Sequence, residues 1–240
     1  MTSTRRTTST DNLRRLVLGG VFALAAAGVC FGSGRQAYAA LAGDHGGQTL
    51  ELAQAMPRGA DRDALLHRAQ ADLSGSLAVV PANAQAWLDL AKVRHLQAVG
   101  AEVDEVSPTL AAAAVVAAER AMALRPAWPE PPARLAQARA LTGAQPEAIA
   151  EPLRASYRLA AFDESLLEWR PALAFSVWSV LGLETQASAL VEACAYVRSG
   201  DGRHEALAQE AARTRDRVAA DAMRSVVTDV ACWRAPEAQP

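Results

Sequence analysis

Apolar side chains recur at steps of three and four residues along most of this 240-residue chain, which is the spacing of amphipathic helices. The first such helix in the main part of the chain is predicted over residues 61–79 and ends before Pro81. Its apolar face is formed by Leu65, Leu66, Ala69, Leu73 and Leu77. Runs of β-branched residues, which would favour strands, are scarce. The pattern therefore predicts an all-α fold.

The stretch "VVPANAQAWLDLA" predicts how the next helix begins. Pro81 starts a turn, Asn83 is an expected N-cap, and Trp87 lies on the apolar side of the helix that follows. Further helices are predicted after the acidic insert at 99–109, after "RPAWPEPP", and from there to residue 233. Short turns between these helices predict hairpins.

These helix pairs resemble tetratricopeptide repeats. The residues that carry the resemblance are Trp87, Leu90 and Ala91 after Pro81, and Leu135, Ala136, Gly143, Ala148 and Ala155 after Pro126. Pro126 and Ala160 lie 34 residues apart, which is the standard repeat length. Ala91 and Ala136 replace the usual glycine, so the repeats are degenerate. The resemblance implies an array of antiparallel helix hairpins.

The N-terminal region contains a candidate membrane span. Residues 16–34 carry no charge, and as a helix at 1.5 Å per residue they would be about 28 Å long, close to the thickness of a bilayer core. Residues 1–15 carry four arginines and one aspartate, so we expect this end to stay in the cytoplasm and the bulk of the chain to lie in the periplasm. An alternative is a secretory signal that is cleaved before Ala40, because "AYA" fits a signal-peptidase site.

The chain is thus expected to have five parts. They are a cytoplasmic tail over 1–15, a transmembrane signal anchor over 16–34, a glycine-rich tether over 35–60, the helical domain over 61–233 and a flexible tail over 234–240.

A narrower pattern joins the candidate anchor to two later segments. It consists of "PANAQAWLDLA", followed by Ser156, Leu166, Leu167, Arg170, Phe175 and Trp178. In this combination the chain resembles the membrane-anchored repeat proteins encoded among bacterial exopolysaccharide genes. The resemblance implies a non-catalytic assembly factor of the cell envelope.

Composition narrows the function further. The net charge is −2 and the pI is about 6.1, which argues against nucleic acid as the main partner. No nucleotide-binding, nucleophile-elbow or zinc-spacing motif is present, and the four histidines are scattered, so we expect no cofactor, no metal and no enzymatic activity. The alternative is a periplasmic hydrolase or lyase on a degenerate helical-repeat scaffold.

Stacked helix pairs create a concave groove, and the groove would display the polar residues of the inner helices. The candidate partner-binding residues are Asp89, Lys92, His95, Trp128, Arg134 and Gln137. Lys92 and Arg134 together would hold a carboxylate of an envelope protein, an acidic peptide or an acidic glycan.

Two cysteines lie in the helical domain, Cys194 and Cys232. No glycine or proline falls between Arg203 and Trp233, so a single long helix is predicted there. If this helix runs antiparallel to the helix before it, Cys194 lies level with about residue 208. Cys232 is then about 24 residues further on, roughly 36 Å away at 1.5 Å per residue, which is far beyond disulfide distance. We therefore expect that they are not joined to each other, and that Cys232 is either free or bridges two molecules.

Overall fold

The structure, a computed structural model, describes three stretches in full and several residues besides. The stretches are 32–100, 106–199 and 216–228; the others are Arg203, Glu205, Leu207, Gln209 and Cys232, with the helical backbone of 9–31. All regular secondary structure in these residues is helical, which confirms the all-α class.

The helices are labelled in chain order. They are α1 (Ser9–Ala55), α2 (Ala60–Val79), α3 (Ala84–Ala98), α4 (Pro108–Leu124), α5 (Glu130–Leu141), α6 (Pro146–Leu159), α7 (Arg170–Ser176), α8 (Leu183–Arg198) and α9 (Arg217–Val227). Two 3₁₀ turns, Glu164–Leu166 and Trp178–Val180, flank α7. From α1 to α6, each helix packs against the next one along the chain.

The turn before α3 forms as expected from its residues. The Asn83 side chain accepts a hydrogen bond from the backbone N–H of Ala86 at 3.2 Å, which caps the helix. The indole of Trp87 packs against the core and donates to the carbonyl of Pro81 at 2.9 Å. These local contacts fix the entry into α3.

The predicted tether at 35–60 differs from the structure. Up to Ala55 this segment is the C-terminal part of α1, which packs against α2. Leu50 and Ala53 are 2% and 0% exposed, and Ser76 donates a hydrogen bond to the carbonyl of Ala39 at 2.7 Å. The glycines that suggested flexibility instead let two helices approach closely. A residue from a tether would not be buried in this way.

Two hydrophobic cores lie one after the other along the chain. The first is built from α1 to α4 with Leu135 of α5, and the second from α5 to α9. In α4 the buried face consists of alanines, whose small side chains let the neighbouring helices approach. They are Ala111, Ala114, Ala117, Ala118 and Ala121.

A buried ion pair lies in the second core. Arg170 of α7 and Glu192 of α8 are both 0% exposed, and Nε of Arg170 donates to Glu192 at 2.9 Å. Arg170 also donates to the Ser156 hydroxyl at 2.9 Å, and its guanidinium lies 4.2 Å from the centre of the Tyr157 ring. Glu192 accepts a further hydrogen bond from the backbone N–H of Asp163. This network connects α6, α7 and α8.

The prediction that the two cysteines are unpaired is wrong. Cys194 and Cys232 form a disulfide with their Cα atoms 5.5 Å apart. The reason is that the predicted long helix is interrupted at Asp216, which has an extended backbone and accepts hydrogen bonds from the N–H groups of Val218 and Ala219. An aspartate cap starts a new helix here without glycine or proline.

Within the part of the chain that the structure describes, no helix is long and apolar enough to cross a membrane. The side chains of residues 16–31 of the predicted anchor and of the expected cytoplasmic tail at 1–15 lie outside that part, as does the predicted tail at 234–240.

Candidate functional site

Four of the six candidate binding residues meet in one charged cluster between α3 and α5. Lys92 lies 2.9 Å from a carboxylate oxygen of Glu130 and 3.4 Å from one of Asp89. Nη2 of Arg134 lies 3.2 Å from the same Glu130 oxygen, and Nη1 of Arg134 donates to the side-chain oxygen of Gln137 at 3.0 Å. The cluster thus contains two cations and two carboxylates.

This pairing changes the expected role of the two cations. The side chains of Lys92, Arg134 and Glu130 are only 16%, 15% and 14% exposed, so their ion pairs are shielded from solvent. The Arg134 guanidinium also stacks 4.3 Å from the centre of the Trp169 ring. A partner carboxylate would have to displace Glu130. The cluster is therefore better suited to hold α3 against α5 than to capture an anion.

The Asp89 carboxylate also lies next to α1, on the side away from Lys92. Gln85, one turn earlier on α3, donates to both of its carboxylate oxygens at 3.0 Å. Burial raises the pKa of Asp89, while Gln85 and Lys92 act in the opposite direction. A Cβ atom added to Gly47 would lie 3.6 Å from the carboxylate, which shows how near α1 passes.

A cleft of about 440 Å³ opens between α1 and α3. Three carboxylates line it: Asp89 from α3, and Asp44 and Glu51 from α1. The amides of Gln48, Gln85 and Asn83 contribute further polar groups. In the described part of the chain no basic side chain lines this cleft. The lining is therefore acidic and rich in hydrogen-bonding groups.

The remaining two candidates lie elsewhere. Trp128 is on the loop between α4 and α5, where the Arg125 guanidinium is 5.4 Å from its ring centre. His95 lines a different cavity, between α2 and α3. Burial, with a smaller contribution from the positive charge of Arg134, lowers the pKa of His95 to about 4. The imidazole is therefore neutral at pH 7.

No protein family, curated protein or solved structure matches this sequence. The functional assignment consequently depends on the residues of the chain itself. Among the described residues, no group of three or more His, Cys, Asp or Glu side chains is placed to hold a metal ion.

Sequence reasoning missed three acidic residues of this region. The sequence does indicate a role for Glu130, because it precedes Arg134 by one helical turn and residues four apart on a helix can form an ion pair. Asp44 and Glu51 were assigned to the tether, although their spacing of seven residues places them on one face of a helix. Only the continuation of α1 past residue 35 reveals that they line a cleft.

Proposed function

We propose that the protein is a non-catalytic binding module of the bacterial envelope, and that the cleft between α1 and α3 binds a cationic segment of a partner protein. The observation that carries this proposal is the lining of the cleft, in which Asp44 and Glu51 have no basic partner within the described residues, while Asp89 is paired with Lys92 from outside the lining. Opposite charge on the ligand would complete this surface.

The arrangement of the carboxylates favours an extended ligand. Asp44, Gln48 and Glu51 follow one another at steps of four and three residues, so they form a stripe along α1. The first and last members are about 10 Å apart at 1.5 Å per residue. Both are exposed, and neither forms an ion pair within the described residues, so they are available to lysine or arginine side chains. Asp89 lies deeper and is already held by Gln85 and Lys92, so it adds negative charge to the cleft without being a free ion-pair partner.

Three features support the wider proposal of an envelope scaffold. Sequential packing from α1 to α6 is what an array of degenerate tetratricopeptide-like hairpins would require. The Cys194–Cys232 disulfide favours an oxidising compartment such as the periplasm. The uncharged run at 16–34 is suited to anchor the chain in the inner membrane. The connection with polysaccharide synthesis or export rests on the sequence resemblance alone.

A peptide-binding assay tests the cleft. Fluorescence anisotropy would compare a labelled oligo-arginine peptide with an oligo-glutamate peptide of equal length, using the full-length protein at low salt. We expect only the arginine peptide to bind. The double variant Asp44→Asn, Glu51→Gln should weaken it about twofold to thirtyfold, as two exposed ion pairs of about 0.2–1 kcal/mol each would imply.

The matched control removes the same charge elsewhere. Glu147 and Glu184 are exposed residues on α6 and α8, away from the cleft, and their double replacement by Gln should leave binding within twofold of the original. An equal loss of affinity in the control would mean that only the overall charge matters. That result, or the absence of binding by the arginine peptide, would refute the proposal.

A further inference from the structure

A second cavity, of about 170 Å³, lies between the N-terminal end of α2 and the C-terminal end of α3. Its polar lining consists of Arg58, Arg62, Asp63 and His95. We propose that this cavity binds a small oxyanion, a carboxylate or a phosphate group of a ligand, between the two arginines and the imidazole of His95. This site is separate from the acidic cleft and takes ligands of opposite charge.

The first argument is the state of the nitrogen atoms in the lining. Nε of Arg62 and Nδ1 of His95 are buried, and neither has a hydrogen-bond partner in the described part of the chain. Buried polar atoms in folded proteins nearly always have such a partner. Both atoms belong to residues that line the same cavity, so two residues with an unsatisfied nitrogen lie at this one place.

The second argument is the local charge. Arg58 and Arg62 form no ion pair within the described residues, and Asp63 is the single acidic residue in the lining. His95 is neutral at pH 7 and is also influenced by the charge of Arg134 from α5. Among the described residues, the lining therefore has an excess of positive charge. Guanidinium groups bind carboxylates and phosphates through paired N–H donors, which suits them to this role.

The third argument is the position of the cavity at the start of a 20-residue helix. Gly59 is the N-cap of α2 and provides no side-chain hydrogen bond to the first turn. The N–H groups of a first helical turn carry partial positive charge and favour an anion. The volume suits a small group, since it equals that of roughly six water molecules at about 30 Å³ each.

The test is an NMR titration of the histidine ring signals in the full-length protein. The pKa of His95 would be measured in chloride, in inorganic phosphate and in formate at equal ionic strength. We expect an oxyanion to raise the pKa of His95 by about one unit or more. A shift of one unit means that the anion binds tenfold more tightly when the ring is protonated than when it is neutral. His67, exposed on α2, provides the internal reference and should shift much less.

The two anions identify the source of the ligand group. A response to phosphate alone assigns the site to phosphate groups, and a response to formate alone assigns it to carboxylates. A response to both supports an oxyanion site without that preference. If neither anion changes the difference between the His95 and His67 titrations, the proposal is wrong.

Variants locate the response. Replacing Arg58 and Arg62 together by Gln should reduce the anion-dependent shift of His95 at least threefold. The control replaces two exposed arginines that do not line the cavity, Arg68 and Arg120, and should keep the shift. Arg58→Gln alone alters an exposed loop residue and provides the test if the double variant does not fold. An equal loss in the control would attribute the effect to overall charge and overturn the assignment.

Discussion

Replacing either Gly46 or Gly47 by alanine tests whether α1 packs against α2 as closely as the structure describes. A Cβ atom at position 46 would lie 2.8 Å from Cγ and 3.2 Å from the backbone nitrogen of Leu73, which is fully buried. Carbon atoms in contact are normally about 3.5–4.0 Å apart. At position 47 the nearest atom, a carboxylate oxygen of Asp89, would be at an ordinary 3.6 Å.

The two variants share their effect on helix propensity, so the difference between them isolates the contact with α2. Each replacement should gain about 1 kcal/mol from the preference of alanine for helices. Gly46→Ala should also lose about 1–3 kcal/mol, because Leu73 and the α2 backbone must move. We therefore expect the free energy of unfolding of Gly46→Ala to be about 1–3 kcal/mol below that of Gly47→Ala.

Urea unfolding followed by far-UV circular dichroism measures this difference, provided that the dependence on denaturant is the same for both variants. The midpoint of thermal unfolding should differ in the same direction, by about 2–4 °C for each kcal/mol in a chain of this size. Equal stability of the two variants would show that residues 43–56 do not pack against α2. That result would agree with the flexible tether expected from the sequence.

Two further predictions concern the second core. Glu192→Gln leaves the Arg170 charge buried without its partner, so it should lower the free energy of unfolding in urea by about 3–5 kcal/mol. The double variant Arg170→Met, Glu192→Leu should recover most of that loss. A Glu192→Gln variant as stable as the original protein would contradict the buried pair. Replacing Cys194 and Cys232 by Ser opens a loop of 38 residues and should lower stability by about 2–4 kcal/mol, and non-reducing peptide mapping that finds free thiols at both positions would contradict the disulfide itself.

Features that depend on neighbouring residues could be predicted from the sequence. The helical class follows from apolar spacing, and the Asn83 cap follows from a turn of three residues directly before an amphipathic segment. In both cases the residues that decide the structure lie within one or two turns of each other. The repeat-like pairing of helices and the membrane anchor remain predictions.

Features that depend on distant residues could not be predicted in the same way. Taken with its neighbours in sequence alone, Gly46 indicates a flexible segment. Its role in the contact between α1 and α2 depends on Leu73, which lies 27 residues later. Lys92 pairs with Glu130 across 38 residues, so its availability to a partner could not be judged from α3 alone. Asp216 is different, because a capping aspartate is a local signal that was overlooked in a segment without glycine or proline.

The unbroken course of α1 has a consequence for how far a partner must reach. If residues 16–34 cross the inner membrane, the cleft is carried on the same continuous helical rod that leaves the bilayer. At 1.5 Å per residue, Asp44 would stand about 15 Å and Glu51 about 26 Å along the rod from residue 34. A cationic segment that is itself attached to the membrane would then need a spacer of matching length to enter it.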